Sequence, residues 1–284
     1  MHLYRILKSA APDWARSFFN ITLDTIFPAK CLVCSRLFEP ARIRSSSNAV
    51  AGIADTFAQS NPLPAAYCCP DCVRSFTEIA SPICSCCGIM FKSRQGRDHL
   101  CGDCIIQPKE FRIARAAVAY DPQLMAVVHR FKYAEKIQLA GPLGGLLRDA
   151  FVRYWDPQEI DLILPVPLHA KKFRKRGFNQ SYLLIRSWKS ESVPMVGNGF
   201  DIPVNTAVLI RDTATLSQTG LGRRQRLKNI KGAFAVQMPE KVIAKKVLLV
   251  DDVYTTGATA NECARVLLKA GAERVDVLTV ARAM

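Results

Sequence analysis

The chain has 284 residues, 49 % hydrophobic and 22 % charged, which excludes a disordered chain and suggests about two domains. Its formal charge of +15 is uneven: residues 111–284 carry 27 basic against 15 acidic side chains, so that part is expected to seek an anion. No apolar run approaches the ~18 residues of a membrane span, and Asp13 and Asp24 interrupt the N-terminal apolar pattern, so no signal peptide is read and a cytoplasmic location is expected.

Residues 1–30 place Trp14, Phe18, Ile21 and Leu23 at near-helical spacing and predict an amphipathic helix that docks on the protein. Residues 31–108 hold four C-x2-C pairs: Cys31/Cys34, Cys69/Cys72, Cys84/Cys87 and Cys101/Cys104. A reducing compartment disfavours disulfides. A C-x2-C turn offers two thiolates to one tetrahedral ion, and two turns close a structural zinc site. Two zinc ions are therefore expected, with redox dithiols or core thiols as the bland alternative. Sequential pairing (first with second, third with fourth) is favoured over a cross-braced arrangement, because thirteen residues between Cys87 and Cys101 close one small ribbon. Cys68, Cys86 and Cys263 are left over, although Cys68 can stand in for Cys69. Residues 41–66 are Ala/Ser-rich and read as an insertion in the first ribbon.

Residues 109–284 alternate strand and helix patterns. Strands are expected at 113–120, 162–166, 247–250 and 275–280. Helices are expected at 124–131, 139–154, 180–188 and 258–270, the last closed by Gly271. This order predicts an α/β fold with a parallel sheet flanked by helices.

The most informative stretch is VLLVDDVYTTGAT, residues 247–259. A strand buried on both faces delivers Asp251 and Asp252 to its carboxyl end, where α/β folds bind ligands. Thr255, Thr256, Gly257, Ala258 and Thr259 then open a helix. Small residues let a phosphate approach the backbone N–H groups, and the helix N-terminus favours negative charge. The carboxylates can accept hydrogen bonds from a vicinal diol. A ribose 5-phosphate has both features. Without a G-x4-G-K-[ST] segment, a Walker-type nucleotide site is disfavoured.

Two basic segments accompany this loop. Residues 164–169 (LPVPLH) end a strand and precede KKFRKRGFNQ, in which Lys171, Lys172 and Arg174 are candidate anion ligands. Gly177 breaks the basic run, and Asn179 and Gln180 stand where a helix begins. His169 reads better as a structural histidine than as a general base. His129 and Lys132 are weaker candidates to reach the site. Residues 213–231 hold two glycines and five basic residues after position 222, including Arg223 and Arg224. They read as a mobile lid or as an arm for nucleic-acid phosphates.

The 247–259 stretch resembles the 5-phosphoribosyl 1-diphosphate (PRPP) signature of type I phosphoribosyltransferases. With the cysteine pairs, HRFKY (129–133), PVPLH, RGFNQS (176–181) and the SQ…R…R…N segment in this order, the chain resembles the ComF family. These are competence-associated, phosphoribosyltransferase-like proteins with an N-terminal double zinc ribbon. The resemblance implies that Asp251 and Asp252 hold the ribose hydroxyls and Thr255–Thr259 the 5-phosphate. It implies that Lys171, Lys172, Arg174, Arg223 and Arg224 neutralise pyrophosphate, that residues 171–176 form the pyrophosphate loop, and that Mg2+ arrives with PRPP. It further implies a cytoplasmic role in DNA uptake during natural transformation. Three functions compete: transfer of ribose 5-phosphate to an unassigned acceptor; single-stranded-DNA binding with PRPP as a sensed ligand; and a scaffold whose ribbons dock a helicase or translocation partner.

Overall fold

The computed structural model describes residues 29–38, 67–133, 136–189, 201–213 and 229–284. The expected N-terminal helix, the 41–66 insertion and the segment with Arg223 and Arg224 lie outside them. The chain divides into two compact units, Met1–Ser75 and Phe76–Met284.

In the smaller unit, Lys30 pairs antiparallel with Leu37. The turn between them is closed by the Cys31 N–H on the Arg36 carbonyl at 2.8 Å and the Ser35 N–H on the Cys31 carbonyl at 2.9 Å. Helix α1 (Pro70–Arg74) starts right after Cys69. Proline at its first position loses nothing, because that N–H has no helical acceptor.

The larger unit opens with a second turn of the same kind. Ile83 pairs antiparallel with Met90, and the Gly88 N–H reaches the Cys84 carbonyl at 3.0 Å. Helix α2 (Gly102–Ile106) follows Cys101. Strand β1 (Ala114–Ala119) comes next, then α3 (Pro122–Tyr133), whose first turn is capped by the Asp121 carboxylate on the Leu124 N–H at 2.8 Å. Helix α4 (Ala140–Tyr154) and strand β2 (Leu162–Pro165) follow.

Residues expected as a pyrophosphate loop instead form helix α5 (Ala170–Arg176). Lys and Arg are good helix formers. The His169 side chain caps the start by accepting from the Lys171 N–H at 3.2 Å, and Gly177 ends the helix. This is the structural role read for His169. Helix α6 (Gln180–Ile185) is capped by Asn179 and continues as a 3-10 turn, Arg186–Lys189. A hairpin absent from the sequence reading, β3 (Leu209–Arg211) against β4 (Phe234–Val236), precedes β5 (Lys246–Tyr254), α7 (Ala258–Lys269) and β6 (Arg274–Arg282).

The main sheet has the order β1-β6-β5-β2 with every pair parallel. All four carboxyl ends therefore lie along one edge. Val247 and Leu249 face one side with Leu162, Leu164, Val275 and Val277, where α7 and the hairpin cover them. By alternation Leu248 and Val250 face the other side, and all four residues are fully buried. That two-sided cover is why 247–250 reads as unbroken apolar sequence. Helix α4 packs on β1 and β6, and α6 on β5 and β2. Asp276, fully buried on β6, takes two hydrogen bonds from Arg112 (2.9 and 2.7 Å) and one from the Trp155 indole (2.9 Å), which satisfies its charge.

Candidate functional site

Along the carboxyl edge of the sheet lies a cleft of about 450 Å³. β5 delivers Asp251 and Asp252 to it, and Thr255–Thr259 form its wall between β5 and α7. Among the described residues nothing bulky plugs the bend. Gly257 has φ +75, and a Cβ there would run into the Tyr254 hydroxyl, so only glycine fits.

The two carboxylates differ in surroundings. Asp252 forms an ion pair with Lys132 at the end of α3, Oδ2 to Nζ 2.8 Å. Asp251 accepts from the Ser181 hydroxyl and from the Asp252 N–H, both at 2.9 Å. Burial first, and the neighbouring Asp252 charge second, push Asp251 up to about 7 against the opposing pull of Lys132. Burial lowers Lys132, but Asp252 outweighs it and the ammonium is held above its ordinary value.

Lys132, Lys172, Arg176 and Arg211 all line the cleft. Burial and the charges of Arg211, Arg176 and Lys132 push Lys172 below its ordinary value, and burial lowers Arg211. Lys132 already pairs with Asp252; the clustering of Lys172, Arg176 and Arg211 around the same concavity favours an anion, which relieves their mutual repulsion.

The sequence-chosen residues separate here. Asp251, Asp252, Thr255, Thr256, Gly257, Ala258, Thr259 and Lys172 share the cleft. Arg174 lines a neighbouring groove of about 840 Å³ with Phe173, Phe178 and Tyr182. Lys171 is exposed and outside the cleft lining, and exposed His129 tilts against the Tyr133 ring, 4.7 Å between centroids. Sequence reasoning missed Arg211, because β3 is three residues long and ends a stretch without a clear period. It also missed Arg176, hidden as one cation among five, and Ser181, whose role depends on where α6 docks.

The cysteines form two quartets. Cys31, Cys34, Cys69 and Cys72 bring their sulfurs within 4.8 Å of one another, as do Cys84, Cys87, Cys101 and Cys104. Pairing is sequential, as favoured from spacing. Both arrangements fit a tetrahedral ion. The Cys31 sulfur accepts from the N–H groups of Val33 (3.4 Å) and Cys69 (3.3 Å), and the Cys84 sulfur from those of Cys87 (3.4 Å) and Cys101 (3.3 Å). Burial opposes ionisation of Cys31 and Cys84, but these N–H donors outweigh it and bring both down to about 6. Such donors stabilise metal-bound thiolates. Cys68 stays outside its quartet, its thiol pushed up to about 12 by burial, and Cys263 is a buried core thiol on α7. Among the described residues no helix is long and apolar enough to cross a membrane.

Residues 202–284 match the model of the phosphoribosyl transferase domain. The parallel sheet and the cleft at its carboxyl edge agree with that class of domain. Over 228 residues the chain is 31 % identical to "DNA utilization protein YhgH" of Shigella flexneri, covering 76 % of this chain and 90 % of the relative. It is 31 % identical to "Competence protein F" of Haemophilus influenzae, covering 76 % and 89 %, and 26 % identical to "Competence protein ComFC" of Streptococcus pneumoniae, covering 75 % and 87 %. The chain belongs to the ComF family.

Proposed function

We propose that this protein binds PRPP with Mg2+ and presents its C1 carbon for transfer of ribose 5-phosphate to an acceptor, in the handling of DNA inside the cell. The observation that carries the reading is the juxtaposition in one cleft of a carboxylate pair, a small-residue loop opening α7, and four cations. In this reading Thr255–Thr259 hold the 5-phosphate through N–H and hydroxyl groups. Asp251 and Asp252 accept from the ribose 2- and 3-hydroxyls. Lys172, Arg176 and Arg211 face the pyrophosphate. These residues orient C1 for in-line attack as pyrophosphate leaves through an oxocarbenium-like state, and stabilise the charge it carries away. Mg2+ supplies further charge neutralisation on the diphosphate oxygens.

The relatives' names, "DNA utilization protein" and "Competence protein", support a role in DNA uptake; a cytoplasmic location is part of the same proposal. The two quartets are proposed to hold one structural zinc ion each, which fits four soft thiolates in tetrahedral reach. A second reading, single-strand binding with PRPP as a sensed ligand, is favoured by the outer face of α5, where Lys171, Phe173, Arg174 and Lys175 are all exposed.

Isothermal titration of the full chain with PRPP and Mg2+ tests the first reading. Wild type is expected to bind and Asp251→Asn/Asp252→Asn to lose at least tenfold in affinity. A wild type that gives no binding heat at any temperature tried refutes it. Affinity for single-stranded DNA that falls with salt, and is lost on neutralising Lys171, Arg174 and Lys175 together, distinguishes the second.

A further inference from the structure

Arg282, at the end of β6, is only 5 % exposed. Its guanidinium lies over the Tyr254 ring, 4.2 Å from the centroid. Nη1 donates to the Thr255 carbonyl at 3.0 Å and to the Ala283 carbonyl at 3.2 Å. Nη2 donates to the Cys87 sulfur at 3.3 Å. Among the described residues no carboxylate forms an ion pair with it; its acceptors are two main-chain carbonyls and one sulfur. A buried guanidinium needs a negative partner. A neutral thiol does not supply one. Four thiolates on a divalent ion do, because together they carry a net charge of about −2.

The same side chain therefore touches both centres. Thr255 begins the loop in the cleft. Tyr254, beneath the guanidinium, places its hydroxyl against Gly257, the residue that turns this loop into α7. Cys84, Cys87 and Cys104 belong to the same buried cluster as Tyr254 and Ala258.

We infer that Arg282 is a positioning residue that couples the second cysteine quartet to the phosphate loop, so that a metal ion on the quartet and a phosphorylated ribose in the cleft strengthen each other's binding. The inference rests on the PRPP reading above. With the quartet loaded, the Cys87 thiolate fixes the guanidinium, and the guanidinium fixes the Thr255 carbonyl and the Tyr254 ring. The loop N–H groups are then held open toward the ligand. Without the ion, Arg282 loses its counter-charge and the loop loses that anchor. Thermodynamic linkage makes the effect reciprocal: the bound ligand must tighten metal binding at this quartet by the same factor, and the change is expected in the rate of metal loss, where most affinity differences fall.

The test uses the full chain with Cys31→Ser/Cys34→Ser, so that only the second quartet keeps its four ligands, loaded with Co2+. Decay of the thiolate-to-cobalt charge-transfer absorption under a chelator that does not take Mg2+ gives the rate of metal loss. Calorimetry on the same sample gives PRPP affinity. Saturating PRPP with Mg2+ is expected to slow metal loss at least fivefold and to shift the absorption band. Arg282→Gln is expected to bind PRPP about tenfold more weakly and to abolish both effects. Arg282→Lys keeps the charge but cannot span two acceptors, and is expected to recover part of each; it also serves if Arg282→Gln fails to fold. A chain that binds PRPP in the calorimeter while metal loss and absorption stay unchanged overturns the coupling and leaves the binding reading standing. A chain that binds no PRPP overturns both.

Discussion

The two cysteine quartets are built from the same local parts and embedded in different ways. In each, a C-x2-C turn ends with a residue in the left-handed region, Ser35 at φ +62 and Gly88 at φ +68. In each, the N–H of that residue returns to the carbonyl of the first cysteine, at 2.9 and 3.0 Å. In each, a five-residue helix starts right after the third ligand. Beyond this the likeness stops. The first quartet lies in the smaller unit. The second joins a buried cluster with Phe111, Leu164, Val247, Leu249 and Cys263, and the Ala114 N–H of β1 bonds to the Cys86 carbonyl at 2.7 Å. One motif thus closes a turn of the smaller unit in one place and forms part of the sheet's cover in the other. The lesson is that ligand chemistry fixes the turn, and the neighbours decide what the turn supports.

The largest expected effect breaks the symmetry directly. Cys84→Ser should lose one of the two proposed metal ions and destabilise the larger unit by about 2–5 kcal/mol, since an ion bound there would be folding energy for the core it belongs to. Cys31→Ser should lose the other ion and leave the melting transition of the larger unit where it was. Metal analysis with calorimetry of both variants checks this. Equal losses in that transition would show that the embedding does not matter.

Next in size is Gly88→Ala. A Cβ at Gly88 would sit 2.6 Å from the Ala114 carbonyl oxygen, a main-chain atom of β1 that cannot move aside. The left-handed backbone adds its own penalty. Together these should cost about 2–3 kcal/mol, read as a lower denaturant midpoint.

Much of this organisation is legible in the sequence. Four C-x2-C pairs give two sites, and 247–259 gives a strand, two acids and a small-residue turn, because each depends only on spacing within a few residues. The cations divide differently. Five of six residues at 171–176 are basic, yet only Lys172 and Arg176 reach the cleft, since a helix turns neighbouring side chains to different sides. Arg282 owes its place to strand order, since β6 lies between β1 and β5 and Ala114 of β1 pairs with Val277 of β6; Arg211 owes its place to the separate β3–β4 hairpin. No local pattern carries such information.

A smaller effect concerns pH and belongs to the larger unit alone. Burial, then the charge of Asp252, raises Asp251 from its ordinary value to about 7. A raised carboxyl contributes stability that is fully present below its unfolded pKa of about 4 and lost as pH climbs toward 7. The larger unit should therefore lose stability between about pH 4 and 7 and level off above, and Asp251→Asn should regain about 1–2 kcal/mol at pH 8. PRPP uses the ionised carboxylate in the proposed reading, so its binding should strengthen over the same window and release a proton near pH 7. Titrations in buffers of different ionisation enthalpy count that proton. A stability curve flat from about pH 4 to 7 that is unchanged in Asp251→Asn would contradict this account of the carboxyl.

The smallest effect isolates the turn from its surroundings. Ser35 occupies the position of Gly88 but carries a side chain at φ +62. A left-handed conformation costs a non-glycine residue roughly 1–2 kcal/mol, while glycine gives back part of that through greater freedom when unfolded. On the backbone contribution alone, Ser35→Gly should therefore stabilise the smaller unit by only about 0.5 kcal/mol, visible as slower metal loss from the first quartet. Gly88→Ser, the mirror exchange, should be destabilising by several times as much, because it adds the contact with the Ala114 carbonyl to the same backbone penalty. If the two exchanges shift their quartets by equal and opposite amounts, backbone conformation alone governs both turns and the packing of the second against β1 counts for nothing. A strongly unequal pair assigns the difference to that packing, since sequence spacing, φ and the returning N–H bond are matched in the two turns.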